Sequence, residues 1–104
     1  MAERRSSIRI EALLWSDSVI EKLRTRHQLD PAEAESILDN DPIFIENAPS
    51  PTRVATHAIV GRSTNGHAIS IYVSETAEPG VWYVHTAHRS RTASRLLREE
   101  GRNE

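Results

Sequence analysis

Cysteine is absent from the chain, which excludes disulfides, thiolate metal sites and a cysteine nucleophile together and suits a reducing cytoplasm. Aromatic residues are scarce at 5%, and the mean hydropathy is -0.53, so a modest core beneath a generous solvated surface is expected. No apolar run approaches a signal-peptide core or a membrane span, which argues against secretion and against a membrane partner. The serine-hydrolase elbow Gly-x-Ser-x-Gly is missing, and Gly61-Arg62-Ser63-Thr64-Asn65-Gly66 reads as a turn and not as a phosphate loop. With 104 residues there is no room for a second independent core, so residues 1–104 are expected to form one domain, with 1–7 as a flexible polar leader.

The net charge of -2 gives no overall attraction to nucleic acid, but the charges are segregated. Between Gln28 and Ser50 stand Asp30, Glu33, Glu35, Asp39, Asp41 and Glu46, with no Lys or Arg. Between Arg89 and Arg102 the balance reverses, with Arg89, Arg91, Arg95, Arg98 and Arg102 against Glu99 and Glu100. An acidic and a basic surface can therefore coexist on a nearly neutral protein.

The apolar segment within Ile8–Trp15 fits either an edge strand or packed coil. Val19, Ile20, Leu23 and His27 follow helical spacing behind Ser16 or Ser18 as N-cap, predicting a helix near Asp17–His27. Asp30-Pro31-Ala32-Glu33 starts a second, short helix with a capping carboxylate and proline in the first position, and Asp41-Pro42 ends it. A period of two begins at Ile43-Phe44-Ile45, and a loop is expected over Asn47–Pro51. Val54, Ala58 and Val60 lead into Asn65-Gly66, which predicts a two-residue hairpin turn. That turn would pair Thr64 with His67, Arg62 with Ile69, Val60 with Ile71 and Ala58 with Val73, leaving His57, Ile59, Ser70 and Tyr72 on a more polar opposite face. After the turn at Glu78-Pro79-Gly80, Val81–Ala87 forms a further strand, and Ser90 caps a helix running through Glu100 to Gly101. The expected class is α+β, with two N-terminal helices, a twisted antiparallel sheet of about four strands and a C-terminal helix.

Several side chains are candidates for chemistry, each with a plainer reading beside it. Lys22 and Arg26 share a helix face, either to contact phosphate or as a solvated face relieved by Asp17 and Glu21. His27 lies on the apolar stripe of the same helix, as a structural residue or as a proton carrier beside Arg26. Arg91, Arg95, Arg98 and Arg102 form a ridge that suits RNA phosphates, an acidic partner, or solvent. His85 and His88 are the nearest approach to a metal motif, but on a continuous strand they face opposite ways, so neither metal nor cofactor is expected. The acids of the second helix lack the apolar setting that would raise a carboxyl pKa for catalysis.

Trp15-Ser16-Asp17, then Arg26-His27, then Asp30-Pro31-Ala32-Glu33 closing before Asp41-Pro42, Gly61-Arg62, and Thr86-Ala87-His88-Arg89 ahead of an Arg-rich helix together resemble the BrnT family of bacterial toxins. The family usually carries glycine where this chain has Gln28, arginine where it has His88, and a tyrosine in the final helix. The resemblance implies a RelE-like fold and a metal-independent ribonuclease, the toxin of a type II toxin-antitoxin pair in the bacterial cytoplasm. It implies an RNA substrate and a cognate antitoxin whose own DNA-binding part reaches operator DNA. In that reading Arg62 and Arg26 hold the scissile phosphate, His88 or His27 moves protons, and Lys22, Arg89, Arg91 and Arg95 contact RNA. The departures at Gln28 and His88 favour the alternative, a non-catalytic protein-binding or nucleic-acid-binding module on the same scaffold.

Overall fold

The computed structural model describes residues 4–5, 9–46 and 55–99. Its first capped element is α1 (Asp17–Arg26), where Ser16 Oγ accepts from Val19 N at 3.2 Å and Val19 and Leu23 turn inward. Ser16, and not Ser18, is the cap. α2 (Pro31–Glu35) begins as its sequence dictates, with Asp30 Oδ1 accepting from Ala32 N at 2.9 Å and Pro31 in the first turn. It tightens into a 3-10 turn over Ser36–Asp39 and buries Ala34 and Ile37.

The strands are β1 (Arg4–Arg5), β2 (Ala12–Leu14), β3 (Ile43–Glu46), β4 (His57–Arg62), β5 (Ala68–Glu75) and β6 (Val81–Arg89), ordered β1-β3-β4-β5-β6-β2. β3 to β6 form an antiparallel core, and β2 adds at one edge parallel to β6, pairing Ala12 with Val81 and Leu14 with Tyr83. The sheet is therefore mixed, where an antiparallel one was expected. The apolar segment before Trp15 is an edge strand. Arg4–Arg5 of the expected flexible leader pairs with β3 as a two-residue strand. The expected loop at 47–51, and Val54, Glu100, Gly101 and Arg102, lie outside the described residues.

Helices cover both faces of the sheet. On one, Ile59, Ile69, Ile71, Val73, Val84 and Ala87 pack against Val19, Leu23, Leu29, Ala34 and Ile37. On the other, Ile43, Ile45, Val60 and Ala68 pack against Ala93 and Leu97 of α3 (Arg91–Glu99). Ser90 caps α3, its Oγ accepting from Ala93 N at 3.1 Å. The result is a small α+β domain with a Cα radius of gyration of 12.5 Å, close to the roughly 13 Å typical of one domain of about this length.

Two corrections concern the sheet. The β4–β5 hairpin pairs Arg62 with Ala68, Val60 with Ser70 and Ala58 with Tyr72, one residue away from the expected register. Its loop has three residues, Thr64-Asn65-Gly66: Gly66 N donates to Ser63 O at 2.8 Å, and Gly66 takes φ +86. Ser63 Oγ accepts from Asn65 N and His67 N, each at 3.2 Å, which fixes the longer turn. The slip moves Ser70 and Tyr72 onto the face of Ala58 and Val60, and places His57 and Ile59 opposite them. The second correction is a bulge in β6, where Tyr72 faces Thr86 but Val73 faces Val84, so His85 is the extra residue. It brings His85 to the face of Ser74, and hence of His88, whereas an unbroken strand would have separated the two histidines.

Candidate functional site

The α3 face of the sheet is open toward β6, and three rings meet there. His88, opposite Ser70, has its ring centroid 5.6 Å from that of Tyr72 and 5.8 Å from that of His27. Tyr72 comes from the neighbouring strand β5, while His27 reaches over the edge of β6 from the end of α1. His27 stands there because α1 ends at that point: His27 N and Leu29 N both donate to Leu23 O, at 3.1 and 3.0 Å. Gln28 bends the chain at φ +47, and Leu29 returns to the core.

The His27 imidazole is held below its ordinary pKa, first by burial, then by the neighbouring charges of His88, Arg26 and Lys22. That displacement favours the neutral form of the ring. Beside His88 opens a cleft of about 300 Å³ with Ala58, Val60 and Ala93 among its apolar walls and Ser70, Tyr72, Ser90 and Thr92 as hydroxyl donors. The pair thus combines a neutral imidazole, a second imidazole, nearby cations and a pocket with both apolar and hydrogen-bonding walls.

The other candidate residues are distributed differently. Lys22 and Arg26 are exposed on α1 and act on His27 through charge. Arg62 does not join them. It lies at the turn end of β4, with Nη1 donating to Gly66 O at 3.0 Å and Nε buried without a hydrogen-bond partner. It shares a separate cleft with Arg89 and Arg91. Two strands and two residues separate Arg62 from His88, about 12 Å from ordinary sheet spacings. Arg89 points its Nη groups at His27 O and Gln28 O, both at 3.5 Å, and at Glu33 Oε1 at 3.9 Å, so it braces the end of α1. Arg91, Arg95 and Arg98 are exposed on α3, with Arg95 3.9 Å from Glu99 and Arg98 donating to Ser94 Oγ at 3.1 Å.

The remaining histidines have partners elsewhere. His85 Nε2 is 2.7 Å from Ser74 Oγ, its ring stands edge-on to Tyr83, and burial lowers its pKa. His57 stands edge-on to Trp82. His67 Nδ1 is 2.7 Å from Glu33 Oε2, which also accepts from Ser63 Oγ at 2.9 Å. Burial raises the Glu33 pKa, but the bonds from His67, Ser63 and Asn65 outweigh it, and the net displacement is downward. Among the described residues no group of three or more His, Cys, Asp or Glu is placed to share a metal ion, and no helix is long and apolar enough to cross a membrane.

Sequence reasoning put Tyr72 on a polar working face, but with the wrong neighbours, and passed over Glu33. Tyr72 is two residues from Ser70 on a strand, a same-face signal that the wrong hairpin register assigned to the wrong neighbours. Glu33 carried no sequence signal beyond its place in a first turn, because its partners come from a hairpin about thirty residues away. Comparison with known proteins finds no matching family model, no matching curated protein and no matching solved structure.

Proposed function

We propose that this chain is a metal-independent endoribonuclease, the toxin of a type II toxin-antitoxin pair with a RelE-like arrangement, and that His27 and His88 cut the RNA. The observation that carries the reading is the approach of these two imidazoles, 5.8 Å between centroids, beside an open cleft. Neutral His27 takes the proton of the ribose 2′-hydroxyl as the O2′–P bond forms. The P–O5′ bond breaks and His88 gives a ring proton to the leaving O5′. The products are a 2′,3′-cyclic phosphate and a free 5′-hydroxyl, with no metal in the balance. Lys22 and Arg26 offset the charge that develops on the phosphorane oxygens, and Tyr72 offers a ring face on which a base can stack.

The exposed arginines of α3 suit the carboxylates of a cognate antitoxin, through which alone the complex reaches operator DNA in the bacterial cytoplasm. Purified protein should cut a long unstructured RNA equally with and without EDTA. His27→Ala and His88→Ala should each slow cleavage by about 10²–10⁴-fold while the fold persists. Full activity in both folded variants eliminates this site. Copurification with the product of the adjoining reading frame tests the partner, and recovery of the chain alone counts against it. The distance of Arg62 from the imidazoles favours a second reading, a non-catalytic binding module, which the same assay would reveal as RNA or protein binding without cleavage.

A further inference from the structure

The hairpin turn and the first turn of α3 enclose a second cleft, about 390 Å³, whose walls include Arg62, His67, Arg89, Ser90 and Arg91. Three arginines line this cleft: Arg89 turns its Nη groups to His27 O and Gln28 O, while Arg62 and the exposed Arg91 stand at the hairpin turn and the first turn of α3. The nearby carboxylate, Glu33, is committed at Oε2 to His67 and Ser63, and its Oε1 stands 3.9 Å from Arg89. Arg62 spends Nη1 on a backbone carbonyl and leaves Nε buried with no hydrogen-bond partner. Guanidinium forks match phosphate oxygens, so arginine-lined walls suit a bound phosphate.

The cleft also continues the imidazole site. Ser90 belongs to the walls of both clefts, and its N donates to Ala68 O at 3.1 Å, in the sheet row of Arg62. The next row holds Val60, Ser70 and His88, about 7 Å away along the strands. A strand of RNA lying with one phosphodiester at His27 and His88 therefore lays a neighbouring phosphate toward the arginines. We infer that the Arg62–Arg89–Arg91 cleft is a phosphate subsite for the backbone of single-stranded RNA flanking the cut. The inference rests on the ribonuclease reading and adds to it where the substrate runs.

The test uses the full chain and a fluorescent 2′-O-methyl oligonucleotide, which cannot be cut, with anisotropy followed from low to high salt. Arg62→Gln with Arg91→Gln should weaken binding about tenfold. The slope of log affinity against log salt should fall by about 1.4, at about 0.7 for each single-strand phosphate contact. Arg91→Gln alone, at an exposed helix start, should give about half of that fall in slope, and it guards against any disturbance of the turn by the Arg62 change. Replacing one linkage at a time by neutral methylphosphonate should locate a position where wild type and double variant bind alike. Affinity and slope unchanged in both folded variants overturn the subsite. So does a poly-glutamate peptide that displaces the oligonucleotide at lower concentration, which would assign the cleft to a protein partner. Wild-type protein that shows these differences yet cuts no unmodified RNA refutes the ribonuclease reading and not the subsite. RNA cutting that depends on His27 and His88, with the arginine variants binding as wild type does, refutes the subsite alone.

Discussion

Gln28 offers a direct test of the backbone that places His27. At φ +47 it occupies the position just after α1 where glycine is preferred, with Leu29 N bonded to Leu23 O at 3.0 Å to close the helix end. A residue with a Cβ in the left-handed region costs about 1–2 kcal/mol. Glycine would remove that strain but returns roughly 0.4–1 kcal/mol through the greater freedom of its unfolded chain. Gln28→Gly should therefore stabilise the protein by about 0.5–1 kcal/mol, a rise of about 2–8 °C in melting temperature for a domain near this size. Gln28→Ala keeps the left-handed penalty and should move the midpoint little. Thermal and urea unfolding of the three proteins measure this, with an unchanged urea slope as the sign that the native state is intact. A melting temperature for Gln28→Gly at or below that of the wild type would refute the account of the helix end.

Three other outcomes follow from the same geometry. The acid limb of the pH–rate profile for RNA cleavage should lie below pH 6.5, the ordinary imidazole value, and Arg26→Gln should move it upward by removing a cation beside His27; NMR titration of His27 checks this without turnover. Glu33 has a folded pKa below its unfolded value, so its contribution to stability is present above about pH 4.5 and is lost as pH falls through the folded value. Glu33→Gln should flatten that acid dependence in urea titrations and cost about 1–3 kcal/mol at neutral pH. Gly61→Ala should destabilise by about 1–3 kcal/mol in the same assay, because the new Cβ would meet Ile37 Cβ at 3.0 Å and Ile37 O at 3.3 Å.

The helices were legible because their signals are local. Ser16, Asp30-Pro31 and Ser90 each act within a turn of themselves, and each caps a helix in the structure. The hairpin register was not legible, because Asn65-Gly66 permits both a two-residue and a three-residue loop. A half-buried strand would have settled the choice by alternation. In β4, however, Ala58, Ile59, Val60 and Gly61 are all buried between helices on both sides, so period-two alternation carries no information there. The site was legible only in part for the same reason. Residue types named Lys22, Arg26, His27, Arg62 and His88, but no spacing reveals that β6 bulges at His85 or that Arg62 sits at the far end of β4. Gln28 takes a glycine-like backbone at φ +47, which composition cannot report.

The pairing of β2 with β6 also sets the order in which the molecule can be completed. Residues 12–14 leave the ribosome well before residues 81–83, the strand they join. Until then Leu13 has no Trp82 opposite it, and the segment waits as an unpaired template for any other extended chain. Completing this edge consequently requires a long loop closure, and synthesis that stalls before residue 81 leaves an adhesive edge.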